Sequence, residues 1–441
     1  MKYILFAGVI IFGIPIGAML FRTSEKYARI LFAIMCLVPA INITIKFMAH
    51  DFYHGDYRGY EVNLAEIVAL MMLLGMSFSN KYQKLIFFPK HSLSYILVML
   101  IGGASLFGAW EPLYGSFTLF RFFMVYIIFI TAYNYVRQSE KNLRYAIFVF
   151  ALALAIQVFD VVKEKYLGGS YRVQGTFWHP NTLSMYIEIL VPIVMAVILS
   201  EKLKYSWFYW TAVLGSIFAV LATFSRGGIA VLGAQIMMLV FFSLVQKITA
   251  RKTIALSIMV LLLLAGGIKA SGRIIERFEQ APESSGHTRV EFNNAASAMA
   301  GDYALGVGLN NFSYGCNNKY YSKFFSQEPG GHGVCHNIYW LTIAETGWTG
   351  FAIFMFFLLG LLFRALLLTF RSPKNIYTTV GLGIFVAFSG VYFHGLLEWI
   401  FRQLPIQYLF FTVIGVLIAA DELHVVEKLK RKQLLARQRK Q

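Results

Sequence analysis

Charge is scarce in this chain. Only 14% of its 441 residues are Asp, Glu, Lys or Arg, against 58% hydrophobic. A soluble protein of this length needs far more polar surface, so the composition leaves a polytopic membrane protein. Several chemical signatures are missing as well. There is no Walker lysine loop, no Gly-x-Ser-x-Gly elbow and no paired-Asp motif of the metal-binding glycosyltransferase kind. Energy for any reaction must then come from the substrate itself or from an ion gradient. No internal repeat is visible. The first apolar run has no clear small-residue cleavage site before Phe21-Arg22, so it is expected to be retained.

What is abundant is apolar sequence in lengths near the roughly 20 residues that a helix needs to cross the hydrocarbon. Such segments lie near 3–20, 28–48, 62–80, 92–110, 116–136, 143–161, 183–200, 206–223, 228–246, 253–270, 337–363, 377–395 and 403–420. The net charge of +17 raises nucleic acid as a partner, but its distribution argues against one. Lys and Arg gather in alternate links, for example Lys81, Lys84 and Lys90, or Arg364, Arg371 and Lys374, and in the tail from Lys428 to Lys440. The positive-inside rule makes these links cytoplasmic and the links at 49–61, 111–115, 162–182, 224–227, 271–336 and 396–402 external. The N-terminus then falls outside. Gly13, Pro15 and Gly17 in the first segment allow it to be broken, so twelve or thirteen transmembrane helices are expected. The expected fold is an all-α polytopic membrane protein forming a single domain over 1–441. It carries a large outer loop at 271–336 and a basic tail at 421–441, the tail being either a helix on an anionic leaflet or a disordered topology signal.

Cys36 lies in a membrane segment as packing. Cys316 and Cys335 fall in the outer loop, where a bridge would close roughly 20 residues and stabilise by about 3 kcal/mol. Two free thiols are the alternative, and the bridge is preferred. The spacing of these cysteines with His332 and His336 fits no common zinc site, so no metal and no cofactor are expected.

Four outer stretches carry candidate chemistry: Arg172-Val173-Gln174-Gly175 running to His179-Pro180-Asn181, then Ser225-Arg226-Gly227-Gly228, Thr288-Arg289-Val290-Glu291, and His336-Asn337 with Glu345-Thr346-Gly347 behind it. Arg226 has almost no loop around it and must sit at the edge of the hydrocarbon, which is costly unless an anion pairs with it. Its planar fork suits phosphate oxygens. A structural arginine reaching for headgroups is the plainer alternative, but Arg172 and Arg289 on the same side, beside a histidine, favour a site. His336 opens a helix, and an imidazole is a natural general base near neutral pH; Asn337 is placed to orient the ring or a substrate. Arg121 is a weaker candidate, as are His394, Glu398 and Arg402, whose four-residue spacing suggests one helix face and an ordinary Glu–Arg pair with a capping His.

The ordered set of Arg-Val-Gln-Gly-Thr-Phe, Pro-Asn, Ser-Arg-Gly-Gly, an outer-loop Arg, Gly306-Val307-Gly308-Leu309-Asn310-Asn311-Phe312, His-Asn and Ala-Glu-Thr-Gly resembles the O-antigen ligase and polymerase family, over roughly 170–350 by motif. His179 departs from that pattern. The resemblance implies a GT-C-like glycosyltransferase of the bacterial inner membrane with a periplasmic active site. It implies a glycan on undecaprenyl pyrophosphate as donor, and lipid A-core or another glycolipid as acceptor. Carried over by motif, His336 is the base and Arg226 and Arg289 engage the pyrophosphate, with Arg172 a third member and Asn181, Asn337, Glu345 and Arg121 secondary candidates. A polymerase using the same donor is the alternative within the enzyme class. A lipid-linked glycan transporter is the alternative outside it, disfavoured because few charges line the membrane interior.

Overall fold

In a computed structural model of the protein, the residues described are 2–246, 248–250, 252–254, 257, 260–261, 283–325 and 333–438. Its helices are α1 (Lys2–Thr23), α2 (Glu25–Leu37), α3 (Leu64–Ser77), α4 (Ser92–Ser105), α5 (Pro112–Val136), α6 (Glu140–Val162), α7 (Pro180–Ser200), α8 (Ser206–Ala222) and α9 (Arg226–Gln246). There follow α10 (Glu283–Asp302), the short α11 (Phe312–Asn318) and α12 (Tyr321–Phe324), then α13 (Ile338–Phe370), α14 (Ile376–His394) and α15 (Leu404–Gln438). Among the described residues, eight helices are long and apolar enough to cross a membrane, and α3, α4 and α8 are shorter apolar helices. The protein is an all-α, multi-pass membrane protein. Most of the segment expected at 253–270 lies outside the described residues, as do 271–282 and 326–332, which include His332.

α7 explains the centre of the bundle. It is apolar all round, so no face of it suits solvent, and nearly all its side chains are buried. α6, α8, α9 and α14 pack around it.

One expectation needs correction. The run at 28–48 is not one span. Its helix stops at Leu37, Pro39 occupies a 3-10 turn, and Asn42 takes a left-handed φ of +56° that turns the chain back. Thr44–Phe47 (β1) then pairs antiparallel with Tyr60–Asn63 (β2), Thr44 opposite Asn63 and Phe47 opposite Tyr60. The tail takes the helical one of its two alternatives: α15 continues unbroken from the membrane segment to Gln438, with residues 425–438 exposed. The first segment, by contrast, stays helical through Gly13, Pro15 and Gly17, and Tyr3 Oη donates to Lys46 O (3.2 Å) beside the ribbon. The start of α1 therefore lies at the same end of the bundle as the links expected to be external.

Arg121 lies inside the bundle and not in an open site. It donates to Glu66 Oε1 (2.5 Å), to Glu61 O (2.7 Å) and to the Tyr408 hydroxyl, joining α5 to α3, β2 and α15. Glu66 also accepts from Asn63 N (2.8 Å) while Asn63 Oδ1 accepts from Ala65 N (2.9 Å), the reciprocal box that starts α3.

The Gly306–Phe312 run is a clamp. Gly306 and Gly308 have φ of +77° and +95°, and a Cβ on either would sit 2.3 Å from Glu345 C or Ala109 Cβ. Only glycine allows this approach. It brings Val307 N and Gly308 N onto Ala344 O and Glu345 O (2.9 and 3.0 Å). Asn310 accepts from Asp56 N (2.7 Å) and donates to Tyr57 O and Tyr114 O; Asn311 accepts from Glu111 N (2.8 Å). The outer loop is thus stapled to α13, to the loop at 56–57 and to the start of α5 before it reaches His336.

Candidate functional site

His336 stands one residue before the cap of α13. Asn337 Oδ1 accepts from Tyr339 N (3.0 Å) and Trp340 N (3.2 Å), so its side chain starts the helix and does not orient the imidazole, contrary to expectation. Ile338 N donates to Gly395 O (2.9 Å), and Tyr339 Oη donates to Tyr392 O (2.6 Å). These contacts fix the start of α13 against the end of α14, where the chain turns at Gly395.

That turn delivers Glu398. His394, Glu398 and Arg402 do not share a helix face, because α14 ends at His394. They diverge. His394 Nδ1 meets Glu188 on α7 (2.8 Å), and Arg402 reaches Asp56 and Glu345 (2.8 Å each). Glu398 enters a cleft instead. Its Oε2 lies 3.0 Å from His336 Nδ1, and its Oε1 accepts from Arg289 Nη2 (2.9 Å) on α10 and from Asn181 Nδ2 (2.6 Å) in the first turn of α7. Burial opposes its ionisation. The hydrogen bond and charge of His336, with Arg289 and His394 nearby, outweigh that and hold the carboxyl below its ordinary range. The ordinary-pair assignment for this residue is therefore overturned. The available signal was a carboxylate in an external link, on the same side as three arginines and a histidine.

Arg226 comes from a strained corner. Phe224 has a left-handed φ of +50°, rare for so bulky a residue. Arg172 Nε donates to Thr223 O (2.9 Å), Tyr171 stacks on Phe224 (5.0 Å between centroids), and Ser225 N donates to Thr223 Oγ1 (3.0 Å). Ser225 Oγ then accepts from Gly228 N (3.3 Å), so α9 begins at Arg226 with its first turn at the cleft.

The cleft has a volume of about 370 Å³ and is lined by Arg172, His179, Asn181, Ser225, Arg226, Gly227, Thr288, Arg289, His336, His394 and Glu398, among others. Among the described residues that line it, three carry guanidiniums and one, Glu398, a carboxylate. His179, the departure noted above, caps α7 by accepting from Asn181 N (3.1 Å), and burial lowers its pKa. The structure thus brings together His336, Arg172, Arg226, Arg289 and Asn181. It leaves out Glu345 and Arg121, which are committed to buried ion pairs. Cys316 and Cys335 are both free thiols, so the expected bridge is not formed; Cys335 Sγ donates to Asn293 Oδ1 (3.3 Å). A second, small cavity of about 40 Å³ lies within the bundle, but Arg402 is its only ionisable group besides a tyrosine, and Arg402 is already paired.

The fold and cleft together define a multi-pass membrane protein with a cationic, histidine-bearing pocket at one end of its bundle. Residues 210–355 match the family model described as O-antigen ligase, which bears out the family resemblance over that stretch and supports membrane glycosyl transfer of the ligase or polymerase type. The match includes Arg226, Arg289 and His336 and stops short of Glu398. No curated protein matches the chain.

Proposed function

We propose that the protein moves a glycan from undecaprenyl pyrophosphate to a saccharide hydroxyl, O-antigen ligation to lipid A-core in the periplasmic leaflet of the inner membrane being the reading adopted. His336 Nδ1–H donates a hydrogen bond to the Glu398 carboxylate, which leaves Nε2 as the basic nitrogen. Nε2 takes the proton from the acceptor hydroxyl as that oxygen attacks the anomeric carbon. The bond from that carbon to the pyrophosphate oxygen breaks, and the electron pair leaves with the lipid pyrophosphate. Arg226, Arg172 and Arg289 stabilise the departing charge, helped by the first turn of α9, where helix N–H groups favour an anion. Attack opposite the leaving group inverts the anomeric centre. Holding two lipid-borne substrates in line contributes much of the remaining acceleration.

The observation that carries this reading is the 3.0 Å contact of His336 Nδ1 with Glu398 beside three cleft-lining guanidiniums. The test is a reconstituted transfer assay with lipid-linked glycan and lipid A-core. Capped core is expected from the wild type, with a loss on the order of 10²–10⁴ for His336→Ala that leaves folding intact. Extension of a second lipid-linked glycan without capping would assign the protein to polymerisation, and near-normal transfer by His336→Ala would remove the base.

A further inference from the structure

At the end of the bundle opposite the cleft, three cations converge on one buried carboxylate. Asp421 on α15 accepts from Arg364 Nη1 (2.8 Å) and from Arg371 Nη1, and Lys90 Nζ lies 3.5 Å from its Oδ2. Arg364 Nε also donates to His91 Nε2 (3.1 Å), so that imidazole acts as a neutral acceptor. Burial, with Arg364 beside it, lowers the pKa of His91 to about 4. Two positive charges remain unbalanced. The cations fan outward from Asp421: its side chain is 1% exposed, Arg364 25%, Arg371 32% and Lys90 58%.

The arrangement is built rather than casual. His91 is held at φ +70°, and Gly360 of α13 lets its ring approach so closely that an added Cβ would lie 3.3 Å from Cε1. α4 and α13 are thereby locked side by side with their basic ends together. On the same two helices, beside the cations, Leu93, Leu97, Leu359, Phe363 and Leu367 are exposed. Like charges brought together at a hydrocarbon boundary repel unless an anion joins them, and an anionic phospholipid supplies both the phosphate and the chains for the apolar walls.

We propose that Lys90, Arg364 and Arg371 form a binding site for the phosphodiester headgroup of an anionic phospholipid, whose acyl chains lie along α4 and α13. The site is separate from the cleft and does not depend on the function assigned to it.

The experiment compares the full-length protein in phosphatidylcholine vesicles with and without phosphatidylglycerol, using thermal stability and the lipid retained in native mass spectrometry. Phosphatidylglycerol is expected to raise the melting temperature and remain bound. Each basic residue near an anionic surface contributes about 1 kcal/mol, so the Lys90→Gln/Arg371→Gln double variant should retain the lipid about thirtyfold less well. Lys90→Arg/Arg371→Lys keeps the charges and should behave as wild type, which separates lipid binding from damage to the fold. Equal retention by the Gln double variant would overturn the proposal. So would a shift produced by inorganic phosphate alone, which would make the site a free-anion site.

Discussion

Arg289 and Arg402 both reach carboxylates at the same end of the bundle, yet they sit in opposite kinds of surroundings. Arg402 is buried between Asp56 and Glu345, one cation for two acids. Burial pushes the Asp56 carboxyl up to about 6 despite Arg402 beside it, and Asp56 Oδ1 and Glu345 Oε1 have no hydrogen-bond partner among the described residues. Arg289 shares Glu398 with His336 and Asn181 at the edge of an open cleft that holds two more guanidiniums. Among the described residues lining that cleft, guanidiniums outnumber carboxylates. The same residue types thus make a structural knot where acids outnumber bases in a closed space and, on the function proposed above, an anion-binding site where guanidiniums gather beside a cavity.

The comparison breaks most visibly if the knot proves dispensable. Arg402→Ala leaves two carboxylates facing each other and is expected to cost about 3–5 kcal/mol of stability, read as a lowered melting temperature and loss of folded protein. A normally stable Arg402→Ala would erase the distinction. On the cleft side, Glu398→Gln removes the negative charge that holds the His336 Nδ1–H and stabilises the imidazolium, and a fall in transfer on the order of 10² is expected with little change in folding.

Acid titration sharpens the same point. The folded pKa of Glu398 lies below its ordinary value, so the unfolded chain binds the proton first. The stabilisation is complete above the ordinary glutamate range, around 4.3, and is lost as pH falls through the folded value. Glu398→Gln should flatten that acid limb of the stability curve. Arg226→Lys keeps the charge but loses the fork, so a smaller loss of transfer is expected, about tenfold if one charge-assisted bond is lost. The smallest effect expected is none: a chelator should leave transfer unchanged, because guanidiniums supply the positive charge.

Much of the cleft was legible because its parts are exceptions to a membrane chain's composition. An arginine at Arg226 with no loop around it, and a histidine at a helix start, stand out against apolar sequence. Glu398 did not stand out, because a four-residue spacing is evidence of a shared face only while the helix lasts, and Gly395 ends it. Arg121 and Glu345 stood out less, as secondary candidates, and burial and partners separate them from the cleft residues. The Gly306–Phe312 run was conspicuous for a different reason: positive φ and close backbone approach demand glycine for architecture as readily as for chemistry. The ribbon at 44–63 was hidden inside an apolar run, where hydrophobicity alone does not tell strand from helix.

Chemical rescue tests the central assignment most directly. His336→Gly should fold normally and lose transfer, and added imidazole should restore part of the rate by supplying the missing base. Transfer by His336→Gly at the wild-type rate without imidazole would contradict the role given to this residue and the cleft chemistry built upon it.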